Sequence, residues 1–234
     1  MRKRGINGFQ ELFDILEKDP SGQELVDVVD AICTNHTFFF REEEHFNALT
    51  SHIIPDIFKS NPSKRHLRVW SAGCSTGEEP YTMAITLAEH FNQLQNKTFS
   101  IFASDLSTKA IYKASRGIYD IEEIETLPEH LKKKYFQRGR GKYEDFVRVK
   151  PILKQYVEFR RHNLLKRLES EENFDVIFCR NVMIYFDYET KQKVVKRLSE
   201  KLNDGGYFVS GHSESLSVIE HPFEMVKPTI YKLV

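Results

Sequence analysis

At 234 residues the chain is long enough for one substantial core, or one core plus a small appendage. With 40% hydrophobic and 29% charged residues it reads as an ordinary globular protein, and no apolar run approaches the roughly 20 residues that direct membrane insertion needs. Thirty-four basic residues balance 34 acidic ones, so the net charge of zero does not imply nucleic acid as a dominant partner.

The opening stretch MRKRGINGF is basic without an apolar segment behind it, so no secretory leader is expected. Residues 7–18 place Phe9, Leu12, Phe13 and Leu16 at helical spacing, and residues 22–33 do the same with Leu25, Val28, Val29 and Ile32. Ser21 with Glu24 three positions on predicts a capping box for that second helix. Two helices cannot build a core, so residues 1–50 read as a partial helical domain with a linker, and residues 51–234 as the main domain. From about residue 67 the pattern changes. HLRVWSAG predicts a buried strand, EPYTMAITLAEHFN (79–92) a helix with Pro80 in its first turn, TFSIFASD a second strand, and 107–115 a short helix. FDVIFCRN is a later strand, 189–202 an amphipathic helix, Asn203–Gly206 a turn, and YFVSG a strand after it. Alternating strands and helices predict an α/β fold with a mostly parallel sheet. Residues 135–160, rich in β-branched and aromatic side chains with Gly139 and Gly141 near a turn, interrupt the alternation and read as a small antiparallel β insertion.

Open parallel sheets bind ligands beyond the carboxyl ends of their strands. The first strand runs into SAGCSTGEEP, where Gly73 and Gly77 allow a tight turn and close backbone approach. This is neither GxGxxG nor a GK[ST] loop, and Glu78 and Glu79 would repel a phosphate, so a cationic ligand suits it better. The second strand ends at Asp105, which reads equally as a ribose acceptor and as the N-cap of the helix starting near Ser107. Cys33, Cys74 and Cys179 are odd in number and form no CxxC pair, so neither a disulfide framework nor a metal site is expected, and a reducing cytoplasm fits.

Five segments together resemble one family: NHTFFFRE (35–42), RVWSAGCSTGEEPYT (68–82), FASDLSTKAIYKASRGIY (102–119), FCRNVMIYFD (178–187) and GHSESL (211–216). The chain is similar to CheR-type chemoreceptor glutamate O-methyltransferases from about residue 20 onward. The resemblance implies a Rossmann-like S-adenosylmethionine-dependent methyltransferase fold with a helical N-terminal region and an inserted antiparallel β-subdomain. It implies S-adenosylmethionine as cofactor, held by Asn35, Thr37, Arg41, Gly73, Glu79, Asp105, Asn163, Leu164, Asn181 and Val182, with S-adenosylhomocysteine as product. Arg41 and Tyr185 would be the catalytic pair. It further implies chemoreceptor cytoplasmic helices as substrate, a receptor C-terminal peptide on the β-subdomain in some members, a monomer, and a role in chemotaxis signal transduction. Family members usually carry a fuller helical N-terminal domain. Here about two helices precede NHTFFFRE, as a natural short form or a truncation.

A glutamate carboxylate, with a pKa of about 4.3, is already ionised near neutral pH and needs no general base, which agrees with motifs that offer none. Arg41 is expected to orient rather than activate, because a strong salt bridge would favour the acceptor's charged ground state. Each residue also has a plainer reading: Arg41 as a partner of Glu44 on one helix, Tyr185 as a core aromatic like Phe186, Cys179 as core, Lys132–Lys134 as a solvated helix face, and His212 in GHSES as a corner rather than part of GxSxG. A non-catalytic module sensing S-adenosylmethionine, or a methyltransferase with another acceptor, are the competing functions.

Overall fold

The computed structural model describes residues 8–20, 22–33, 35–94, 96–169 and 173–234. In chain order the regular elements are α1 (Phe9–Glu17), α2 (Gln23–Ile32), α3 (Glu43–Ala48), α4 (Ile54–Ser60), β1 (His66–Ala72), α5 (Glu78–Phe91), β2 (Thr98–Asp105), α6 (Thr108–Arg116) and β3 (Ile118–Asp120). There follow α7 (Glu129–Tyr135), β4 (Phe136–Arg138), β5 (Phe146–Val149), α8 (Pro151–Lys154), β6 (Val157–Arg161), β7 (Phe174–Cys179), α9 (Tyr188–Ser199), β8 (Leu202–Ser210), β9 (Phe223–Lys227) and β10 (Ile230–Leu233). Ser21 lies outside the described residues. Near it, the carboxylate of Asp19 accepts the Glu24 amide at 2.7 Å.

Seven strands form the main sheet in the order β6-β2-β1-β7-β8-β10-β9. The first five run parallel, and β10 and β9 close the far edge antiparallel. Strand order therefore reverses between β1 and β7, the place where a doubly wound sheet opens a crevice. Alternate residues of the central strands divide between two cores, one on each face. Val69, Val176, Phe178, Tyr207 and Val209 join the face covered by α3, α4 and α5. Trp70, Ile177, Cys179 and Phe208 join the face covered by α9. Among the described residues no helix is long and apolar enough to cross a membrane.

Three regions differ from the sequence reading. Residues 43–60 are one continuous helical stretch, α3 and α4 joined by a π-helical turn over Leu49–Ile53. It runs through residue 50 and buries Phe46, Leu49, Ile53 and Ile54 in the main core. The antiparallel segment read over 135–160 also splits. Only β4 and β5 of that segment enter the small sheet, ordered β3-β5-β4, while β6 runs parallel to β2 as an edge strand of the main sheet. Strand propensity announced β6 but not its partner. Finally, Asn203–Gly206 is not a free turn. It lies inside β8, where the register against β7 shifts between Phe174 and Val176.

Candidate functional site

The loops after β1, β2, β6 and β7 meet the 35–41 segment and the end of α2 around a cavity of about 410 Å³. The structure brings all the sequence-predicted site residues to its wall: Asn35, Thr37, Arg41, Gly73, Glu79, Asp105, Asn163, Leu164, Asn181, Val182 and Tyr185.

After β1 the chain turns tightly. The amides of Gly73 and Cys74 both donate to the Ser104 carbonyl, at 2.8 and 2.9 Å. Gly73 has φ +85°, and a Cβ on it would stand 2.4 Å from Val182 Cγ2, so glycine is required both by conformation and by the neighbouring loop. Asp105 Oδ2 accepts the Ser75 amide at 2.8 Å and Oδ1 the Ser107 amide at 2.9 Å. Asp105 thus ties two loops together, and the N-cap of α6 is Ser107, whose hydroxyl accepts the Ala110 amide. Burial raises the Asp105 pKa against these amides.

The two glutamates of the loop part company. Glu78 turns away from the cavity. It is 1% exposed and accepts the Thr76 hydroxyl, and burial pushes its pKa up to about 7. Of the two carboxylates expected to face a cationic ligand, only Glu79 lines the cavity. Even Glu79 is partly spent: it accepts the Ser71 hydroxyl at 2.7 Å and pairs with Arg180 at 3.0 Å. Burial raises its pKa, and the guanidinium works in the opposite direction.

Arg180, which the sequence reading left without a role, joins the two sides of the site. Its side chain is 1% exposed. It reaches Glu79 on α5, Glu42 at 3.1 Å and the carbonyl of Arg41. A basic residue following FDVIFC, a buried strand apolar but for Asp175, was the available signal, because a buried charge must be paired. Asn181 follows in the left-handed region at φ +59°, and its carboxamide donates to Glu42. Arg41 does not sit on a helix with Glu44. It lies in the turn before α3, between left-handed Phe40 and Glu42, and donates Nη1–H to the His36 carbonyl at 2.9 Å. Glu44 pairs instead with His212 at 2.8 Å. Tyr185, at the end of a single 3₁₀ turn (Met183–Tyr185), is 63% exposed, whereas Phe186 packs against the core. Cys179 is fully buried, as its plain reading has it. Lys132 bonds Glu129 and the Glu125 carbonyl, and Lys134 pairs with Glu89.

The donor set fits a cationic nucleoside. Two carboxylates (Glu79 and Asp105) and three carboxamides (Asn35, Asn163 and Asn181) face a cavity whose remaining wall includes Leu106, Leu164 and Val182. His162 also lines it, with Nε2 buried and without a hydrogen-bond partner among the described residues. Burial, aided by Arg160, lowers the pKa of this imidazole.

A family model described as "CheR methyltransferase, SAM binding domain" matches residues 35–232. The chain is 40% identical over 236 residues to a chemotaxis protein methyltransferase of Salmonella typhimurium, covering 100% of this chain and 78% of that one. It is 39% identical to one from Escherichia coli (100% and 79%) and 38% identical to one from Borreliella burgdorferi (99% and 82%). The chain belongs to the CheR methyltransferase family and is an S-adenosylmethionine-dependent chemotaxis methyltransferase.

Proposed function

We propose that the chain methylates glutamate side-chain carboxylates on the cytoplasmic helices of bacterial chemoreceptors, forming methyl esters. The observation that supports this best is that Arg41 and exposed Tyr185 line the same cavity as the carboxylates of Glu79 and Asp105. When bound, S-adenosylmethionine supplies a methyl group on a positively charged sulfur. Glu79, Asp105 and the three carboxamides would hold the donor, and Gly73 lets the backbone come close. Arg41 would orient the acceptor carboxylate, with its planar fork already braced on the His36 carbonyl. Tyr185 would hydrogen-bond the acceptor and exclude water.

An acceptor that needed deprotonation would call for a base near Tyr185. His162 hangs from the end of β6, three strand spacings from β7, or roughly 14 Å. It is better placed for the donor's far end than for the reacting carbon. The small sheet offers β3 and β4 as edges, with Arg148 exposed on β5 between them. Strand addition there by a receptor tail peptide would raise the local acceptor concentration.

The test is incubation with methyl-labelled donor and receptor-bearing membranes, followed by alkaline hydrolysis. Base-labile label is expected, reduced about 10²-fold in R41A and Y185F by misplacement of the acceptor. Excess tail peptide should slow labelling if the small sheet docks it. Base-stable label would assign another acceptor, and no label at all would favour a sensing module.

A further inference from the structure

We propose that Glu214 is the positioning residue of the methyl-transfer loop, holding Asn181–Tyr185 from a distant segment of the chain. No residue of GHSES lines the cavity, yet its glutamate is 4% exposed and accepts four main-chain amides. Oε2 takes Asn181 at 2.6 Å and Gly211 at 2.8 Å. Oε1 takes Met183 at 2.6 Å and Ile184 at 3.2 Å. A carboxylate is acceptor-only and offers about four lone-pair sites, so the group matches its surroundings completely.

The loop needs such a partner. Where β7 stops at Cys179, the amides entering the 3₁₀ turn have no preceding carbonyl to bond. Asn181 at φ +59° cannot supply one by continuing a strand, although asparagine takes this left-handed state more readily than most residues other than glycine. Glu214 satisfies the orphaned donors and so stabilises that conformation. The loop carries Asn181 and Val182 on the donor side and Tyr185 at its end, so its register sets where all three stand. Gly211 is shaped for the same contact. A Cβ there would lie 2.7 Å from Glu214 Oε2 and 2.8 Å from Asn181 Nδ2.

The inference rests on this cavity being the methyl-transfer site, but its test does not need the acceptor. E214Q keeps size and shape while turning an amide NH₂ toward backbone N–H donors. In the full chain it should weaken S-adenosylhomocysteine binding roughly tenfold by calorimetry, because the competent loop is less populated. Amide exchange at residues 181, 183 and 184 should rise. Against receptor membranes at saturating donor, Y185F should cost far less in E214Q than in wild type, since Tyr185 is already displaced. E214D, which keeps the carboxylate, should recover part of the loss. If E214Q does not fold, G211A pushes on the same carboxylate and carries the same measurements. S-adenosylhomocysteine affinity within twofold of wild type, whatever the change in Tm, overturns the assignment. So do losses from E214Q and Y185F that multiply independently, and so does failure of both variants to fold. Wild type that labels no receptor while E214Q still loses product affinity would sink the acceptor reading alone.

Discussion

Two loops meet at the contact of Gly73 with Val182 and are built by different means. The loop after β1 is held by its own tight turn and by the end of the neighbouring strand, about 30 positions on. Gly73 and Gly77 take positive φ, Ser104 accepts two of its amides, and Asp105 at the next strand end accepts a third. The loop after β7 borrows its shape from far along the chain, through Arg180 to residues 101 and 138 positions earlier and through Glu214 some 30 positions later. A loop held by one adjacent strand end depends on that strand alone. A borrowed one moves with its lenders.

The largest stability effect should come from cutting the tie between them. R180M leaves Glu42 and Glu79 with a buried, unpaired charge, and urea unfolding should show a loss of about 3–5 kcal/mol. A change below about 1 kcal/mol would mean the two loops are independent. Next, G73A drives a methyl group against Val182 and fixes a side chain at φ +85°. The expected cost is about 3 kcal/mol, with weaker donor binding by calorimetry. V182A should relieve much of it if the two loops meet at that contact.

The smallest effect concerns the β1 loop alone. The Glu78 pKa, raised by burial to about 7 from a reference of 4.5, means the folded chain holds a proton that the unfolded chain has released between those values. That contribution is complete below about pH 4.5 and is lost as pH rises through about 7. Relative to E78Q, wild type should therefore lose about 2–3 kcal/mol between pH 4.5 and pH 8. Donor affinity in E78Q should stay near wild type, because Glu78 faces away from the cavity. Parallel stability curves for the two proteins would refute the buried proton.

The contrast between the loops also explains what could be read from residues alone. β1, β2 and β7 with α5, α6 and α9 were legible because each carries its own period, and the β1 loop because its glycines and acids are contiguous. Arg180, Glu42 and Glu214 were not, because a polar side chain declares its type but not a partner a hundred positions away. Residues 43–60 do carry helical spacing in Phe46, Leu49, Ile53 and Ile57, but Pro55 and the polar run Thr50–His52 interrupt it. The β9–β10 hairpin hides for another reason. As an outer strand β9 buries only Phe223, so it shows no alternation.

The chain's single tryptophan makes the cavity self-reporting. Trp70 is 2% exposed, bonds Ser104 through its indole N–H, and lies 5.9 Å from the ring of His162, itself a lining residue of the pocket. One fluorophore, shielded from bulk solvent and touching a wall of the binding chamber, gives an emission signal without any attached dye. Occupancy could then be followed by light on the millisecond scale, in the unmodified protein, while the receptor substrate is present.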